Sequence, residues 1–306
     1  MLDETSFGDL DILDFLQIFN STVKAGEVLG VSQSNCSRRY RALSSHLDLE
    51  FERVDEAYIP QQNLDVLDSL REGSQKLRVR RGLLRLAKAW HVDCLKLSRS
   101  WRQLPLVSMN SSRTMSLLEG RLLDVWIGGL LEFSPLLDTP LERLEPRRQP
   151  LGHRLLCLPL FRWPLRLLAH QDHELAARSS LNPDDLARHP SPALPLGAAP
   201  LLNRALQAHG LANCPYAGTD YDPERWEGVA RDVHSLSYGP PQRLAELERR
   251  WQLRSLPYDL GINDVAAVVG HRDVLADPAF ASALKELLNG LRATALGRCS
   301  QIQWLL

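Results

Sequence analysis

Lysine, paired cysteines and long apolar runs are what this chain has least of, and the last two shortages each close off a class of function. Lysine occurs only at Lys24, Lys76, Lys88, Lys96 and Lys285 while arginine is plentiful, a bias of genome composition that says nothing by itself about phosphate binding. The net charge is −1 and the pI is near 6.8, which excludes a generally polybasic nucleic-acid binder, so any contact with a polyanion has to come from a local surface. The five cysteines, Cys36, Cys94, Cys157, Cys214 and Cys299, are odd in number, scattered and without CxxC spacing. They exclude a disulfide framework and a zinc site and point to a reducing compartment. No apolar run reaches membrane-spanning length, and the opening MLDETSFGDLD is acidic rather than basic-then-apolar, so we expect a cytoplasmic protein with no membrane contact. There is no GxSxG elbow, phosphate-binding loop, GxGxxG or HExxH, hence no expectation of an enzyme or of a cofactor. His170 and His173 could share one helix face, but no further ligand cluster lies near, and no metal is expected.

What is present begins at Thr22–Leu29, a short amphipathic stretch broken by Gly30, followed by Ser32 as an N-cap and an arginine-bearing helix to Leu43. Two short helices around a glycine turn are the pattern of a helix-turn-helix, whose second helix enters the major groove with short hydrogen-bonding side chains and a basic flank. Ser32, Gln33, Ser34, Asn35 and Ser37 supply the first, and Arg38, Arg39 and Arg41 the second. No acidic residue occurs between Val31 and Leu47, so this face can meet phosphate without local repulsion. Acids cluster instead before it (Asp3, Glu4, Asp9, Asp11, Asp14) and after it (Asp48, Glu50, Glu52, Asp55, Glu56), where they would weaken phosphate contact. Short helical pairs of this kind also occur in all-α domains that never touch nucleic acid.

Leu29-Gly30-Val31-Ser32-Gln33, then Ser37-Arg38, Arg41, Leu43 and Phe51-Glu52-Arg53, resemble the LysR-type transcriptional regulators. The departures are Ala25-Gly26 for the usual small pair, Ser44 for the usual Glu, and a stretch Leu47–Phe51 one residue short. The resemblance implies an α/β protein with an N-terminal winged helix-turn-helix (1–59), a linker and dimerisation helix (60–81) and a two-lobed effector-binding domain (82–306) of periplasmic-binding-protein type. Lobe I would comprise 82–159 and 266–306, and lobe II 160–265. It also implies double-stranded DNA, a small-molecule effector and a homodimer or homotetramer as partners, with Arg53 in the wing joining the phosphate contacts.

Along the chain, Pro60 fits the first turn of a helix running to about Arg81 with Leu64, Leu67, Leu70 and Leu77 on one face, and the family's glycine is replaced by Asn63. From Gly82 short apolar runs alternate with helical stretches, the pattern of an α/β domain. Strands are expected at Leu83–Ala89, Leu106–Met109 and Leu122–Ile127, the last ending at Gly128-Gly129, and helices at His91–Gln103 and Ser112–Gly120. Leu118 to Val125 is similar to the family's helix-to-strand signature. Leu158–Phe161, Leu165–Ala169 and His173–Ala176 are similar to its crossover strand and turn. Val265–Arg272 and Asp277-Pro278-Ala279 look like its closing strand and last helix.

Ligand groups in such a cleft come from strand ends and the helix N-termini that follow them. Those positions are Trp90 and His91, Asn110, Ser111 and Ser112, and Gly128 and Gly129. Asn110-Ser111-Ser112 reads either as a carboxylate cradle or as a plain helix cap. Trp90-His91 reads as a ligand contact or as a buried aromatic with a capping histidine. Cys214 falls where peroxide-sensing relatives place redox cysteines but has no resolving thiol near it in sequence. Against the regulator stands an alternative from another class, a degenerate LysR-like ligand-binding or protein-interaction module with weak or no DNA binding, for which the acidic wing and altered linker start speak.

Overall fold

Capping residues write the ends of the N-terminal helices. A computed structural model of the chain describes residues 7–54, 57–89, 92, 101–104, 111–195, 197–215, 223–294, 297 and 299–306. Helix α1 spans Phe7–Phe19, α2 Thr22–Leu29 and α3 Gln33–His46. Ser21 Oγ accepts from Lys24 N at 3.3 Å to open α2, and Gly30, in the left-handed region at φ 69°, closes it. Ser32 Oγ accepts from Asn35 N at 3.2 Å to open α3. That helix runs past the expected end at Leu43, because Leu43 and Ser44 are buried and the Leu43 carbonyl still accepts from Leu47 N. The turn between α2 and α3 is tight enough that a Cβ at Gly26 would lie 2.7 Å from the Val31 carbonyl oxygen.

Strands β1 (Phe51–Val54) and β2 (Ala57–Pro60) pair antiparallel as the wing, with Arg53 opposite Tyr58. Pro60 closes this wing and is not in the first turn of the linker helix, a correction to the sequence expectation. The helix, α4, spans Leu64–Arg81. Asn63 sets the break: it is left-handed (φ 50°, ψ 39°), and its side-chain N–H groups donate to the Leu47 and Asp48 carbonyls at 3.1 Å each. Asparagine tolerates this conformation better than other residues with a Cβ, which is how it stands where glycine is usual.

The leucine stripe on α4 also needs correction. Leu67 is buried, but Leu64 is 51% exposed, and the other residues packed inward are Arg71, Ser74, Gln75 and Val79. This polar face is satisfied by buried carboxylates. Arg71 Nε donates to Asp14 Oδ1 at 2.8 Å, and Arg85 Nη1, from beyond α4, donates to Asp14 Oδ2 at 2.7 Å. Arg78 is bidentate on Asp124 at 2.8 and 3.0 Å, and Gln75 Nε2 donates to Asp124 Oδ1 at 3.1 Å.

The region after α4 is a mixed sheet. Strands β3 (Leu84–Lys88), β4 (Trp101–Gln103) and β5 (Val125–Gly129) run parallel, with α5 (Ser111–Glu119) between β4 and β5. Then come β6 (Gln149–Leu151), β7 (Leu155–His170), α6 (Pro183–Leu186), α7 (Pro200–Gln207), α8 (Pro223–Gly228), β8 (Leu236–Gly239) and α9 (Leu244–Trp251). Finally β9 (Leu253–His271), α10 (Arg272–Ala276), α11 (Pro278–Ala293) and β10 (Gln303–Trp304) complete the chain. The order is β10-β7-β9-β5-β3-β4, with β6 and β8 both on β7.

Several expectations shift. Trp101–Gln103 is a strand, not the end of a helix from His91, because Trp101 is buried edge-on to Phe280 at 6.1 Å. The strand expected at Leu106–Met109 lies outside the described residues. Leu122 and Leu123 precede β5 rather than start it, since Arg121 (φ 58°) turns the chain off α5, and Gly128-Gly129 lies within β5. The two short crossover runs are one strand, β7, antiparallel to the longer β9 with irregularities after Pro159 and Pro164, prolines having no N–H for the ladder. These two strands join the lobes.

Asp14 is fully buried. Burial alone would raise its pKa, but Arg71 and Arg85, helped by Arg78, hold it below the ordinary aspartate value. A depressed pKa adds stability above the unfolded-state value, lost as pH falls through the folded one. Asp14→Asn should therefore cost about 3–5 kcal/mol near neutral pH by leaving two guanidinium groups under-paired. In denaturant titrations the deficit should narrow below about pH 4, where the unfolded chain's carboxylate takes up its proton while the native one is still charged.

Candidate nucleic-acid interface and effector cleft

Helix α3 turns Cys36, Leu43 and Ser44 inward and leaves Ser32, Gln33, Ser34, Arg38 and Arg41 exposed, with Asn35, Ser37 and Arg39 half-buried. The side chains expected to read base edges therefore share one solvent-facing surface at the start of a capped helix. Several are pre-positioned by one another: Gln33 Nε2 donates to Thr22 Oγ1 at 3.0 Å, and Arg38 Nη2 to Asn35 Oδ1 at 3.3 Å. Arg53 is exposed on the wing, its guanidinium 5.8 Å from the Tyr58 ring centre. Thus α3 and the wing both carry exposed basic groups.

The acids of α1 are each engaged by an arginine. Asp9 pairs with Arg39, Asp11 with Arg85, and Asp14 with Arg71 and Arg85. Three acids that look repulsive to phosphate in the sequence are thus paired with arginines, and Arg39 alone of the α3 basic set is the partner of one. In the wing segment Asp48, Glu50 and Glu52 are exposed and keep the acidic character expected there. Sequence reasoning missed the arginines that hold the head onto the rest of the chain. Arg102 Nη2 donates to the Val28 carbonyl at 2.9 Å, capping the C-terminal end of α2, and its guanidinium lies 4.7 Å from the Phe15 ring centre. Arg113 Nη2 caps the Gln17 carbonyl at the end of α1. Their only sequence signal is an arginine in an otherwise apolar or small-residue neighbourhood, which does not name its partner.

Of the residues expected in the cleft, Trp90, His91 and Asn110 lie outside the described residues. Ser111 is half-buried and Ser112 exposed at the start of α5. Gly128 and Gly129 are packed so closely that a Cβ would lie 2.0 Å from the Trp126 indole and 1.8 Å from the Asp264 carboxylate. Just beyond them, Glu132 reaches across to α7 and accepts from Leu201 N at 3.1 Å and Leu202 N at 2.8 Å, tying the two lobes together. His173 caps the turn after β7, its Nδ1 accepting from Leu175 N at 3.0 Å. The described cysteines, Cys36, Cys157, Cys214 and Cys299, are all free thiols. Among the described residues no group of three or more His, Cys, Asp or Glu is arranged to hold a metal, and no helix is long and apolar enough to cross a membrane.

Asp264 Oδ1 accepts from Leu131 N at 2.9 Å and Val265 N at 2.7 Å. Burial nevertheless raises its pKa to about 7, against the lowering effect of those backbone donors, and Glu132 adds to the rise. An acid whose folded pKa is raised keeps a proton the unfolded chain has lost, so its share of stability falls as pH climbs from the unfolded value to the folded one. Asp264→Asn, which retains the acceptor oxygen, should gain thermal stability relative to the parent as pH rises from about 4 to about 7, read as a melting difference that widens over that window and then levels off.

No protein-family model matches the chain, and no curated protein matches it in sequence. Solved structures do resemble it in fold. A full-length OxyR variant from Pseudomonas aeruginosa superposes with TM-score 0.58 at 14% identity, covering 97% of this chain and 98% of that one. A probable transcriptional regulator from the same organism gives 0.53 at 17% identity over 92% and 96%. A peroxide-bound OxyR mutant from Corynebacterium glutamicum gives 0.50 at 13% identity over 98% and 96%. The chain therefore has, over nearly its whole length, the fold of these proteins: a winged helix-turn-helix, a linker helix and a two-lobed α/β region.

Proposed function

We propose that the chain is a divergent LysR-type transcriptional regulator that binds double-stranded DNA in a sequence-specific manner as a homodimer or homotetramer in the cytoplasm. A small-molecule effector bound between its lobes would alter oligomer geometry. Residues 1–59 form the DNA-binding domain in this reading, 60–81 the linker and 82–306 the effector-binding domain, with the lobes divided as the resemblance implies. The single observation that carries it is the exposed face of α3, where Gln33, Ser34 and Arg38 stand with Arg41 on a helix without acidic residues. Ser32, Gln33, Ser34, Asn35 and Ser37 would read base edges, and Arg38, Arg41 and Arg53 would contact phosphates. Arg39 contributes less, because Asp9 already engages it. Ser111, Ser112 and the Gly128-Gly129 segment would line the effector cleft together with Trp90, His91 and Asn110.

The alternative of a module with weak or no DNA binding is favoured by the exposed acids Asp48, Glu50 and Glu52 beside the wing. Salt-titrated retention of the intergenic DNA beside its own gene, with unrelated competitor DNA, separates the two. A reader loses affinity steeply as salt rises, and Arg38→Ala or Arg41→Ala should each reduce the slope of log K against log salt by about 0.9. Arg39→Ala should change it least. Retention that is absent, or indifferent to salt and to Arg38, would sink the regulator reading.

A further inference from the structure

Tyr58, in the middle of the wing, has both backbone polar groups bonded to side chains at the end of α1. Its carbonyl accepts from Gln17 Nε2 at 3.0 Å, and its N–H donates to Asn20 Oδ1 at 3.4 Å. The same two amides are gripped from the other side by different parts of the chain. Gln17 Oε1 accepts from Arg71 of the linker helix α4, and Asn20 Oδ1 accepts from Arg113 of α5 at 3.3 Å. Arg113 also caps the Gln17 carbonyl. Across the ladder Tyr58 faces Arg53, whose guanidinium lies over its ring.

A two-stranded ribbon of four residues a strand has no independent stability, so what it is tied to sets its pose. Gln17 is 7% exposed and Arg71 5%, so the bond between them forms away from water, where leaving one partner unmade is costly. Asn20 is held at φ 52°, a left-handed position that aims its amide at the wing.

We propose that Gln17 and Asn20 are the positioning residues of the wing, fixing Tyr58 and through it Arg53, and that Arg71 and Arg113 make this pose depend on how the linker helix and regulatory region dock. The idea rests on the reading of the chain as a DNA-binding regulator. Arg113 lies one residue beyond Ser112, at the start of the helix expected to border the effector cleft, so a shift of α5 would reach the wing through two hydrogen bonds and no hinge.

The test uses the full chain and two readouts, amide hydrogen exchange and salt-titrated DNA retention. Asn20→Gly keeps the left-handed backbone and removes the acceptor, Asn20→Asp keeps the acceptor, and Arg113→Met removes the donor. In Asn20→Gly and Arg113→Met, exchange across 57–60 should quicken about fivefold, the scale of one lost hydrogen bond, while exchange in α3 holds. Asn20→Asp should restore wild-type protection. DNA retention should fall in step, with a salt slope shallower by about 0.9 for the displaced Arg53. Arg113→Met provides the measurement should Asn20→Gly fail to fold. Unchanged exchange at 57–60 in the variants would overturn the proposal, and so would a loosened wing with undiminished DNA retention. If the unaltered chain retains no DNA at all, the regulator reading fails, and the exchange arm alone still decides whether Asn20 and Arg113 hold the wing.

Discussion

Asp14 lies at the point where three parts of the chain meet: α1 of the head, which carries it, Arg71 of the linker helix and Arg85 of the first regulatory strand. One carboxylate between two guanidinium groups, all nearly inaccessible to water, is expensive to desolvate and more expensive to break. Such a pairing adds little net stability over a well-packed apolar contact, but it penalises every arrangement in which the three parts are not in register. Phe15, the neighbouring residue, is flanked by the guanidinium groups of Arg85 and Arg102 at 4.9 and 4.7 Å from its ring centre, adding cation–π contact to the same junction. The head is therefore held in one orientation and is not a module swinging on a linker.

A second buried carboxylate, Asp124, repeats the arrangement one step further along the linker. It takes Arg78 and Gln75 from α4 and the backbone N–H of Arg85, while Arg121 joins Gln75 to Asp273 of α10. The polar face of α4 is consumed by these contacts, which leaves Leu64 and Val66 facing outward at 51% and 41% exposure.

Within the C-terminal region the lobes are joined by covalent continuity and by polar ties. Strands β7 and β9 run antiparallel through both lobes, and Glu132 adds a bridge from the end of β5 to the first N–H groups of α7. A carboxylate of the chain itself thus satisfies helix-start donors that would otherwise need water or a ligand. Asp264 sits behind the same loop and holds Leu131 in place, so the glycines at 128 and 129 are required by packing against Trp126 and Asp264, whatever else the cleft holds.

The sequence by itself determined the local elements whose causes are local. Ser32 and Gly30 mark the ends of the helix-turn-helix, the alternation after Gly82 gives an α/β region, and the absence of acids from α3 defines its exposed face. It also carried the resemblance that led to the right fold. Long-range pairing was beyond it. The acids of α1 and the arginines at 71, 85, 102 and 113 are separated by up to 96 residues from the groups they meet, and charge in a sequence does not name its partner. The leucine spacing on α4 misled for the same reason, since buried carboxylates contributed by other elements made a polar face the inward one. Even the start of α4 turned on such a contact, Asn63 reaching back to the carbonyls of Leu47 and Asp48. Periodicity records which residues can share a face, whereas only the tertiary structure decides which face finds the complementary groups that make burial favourable.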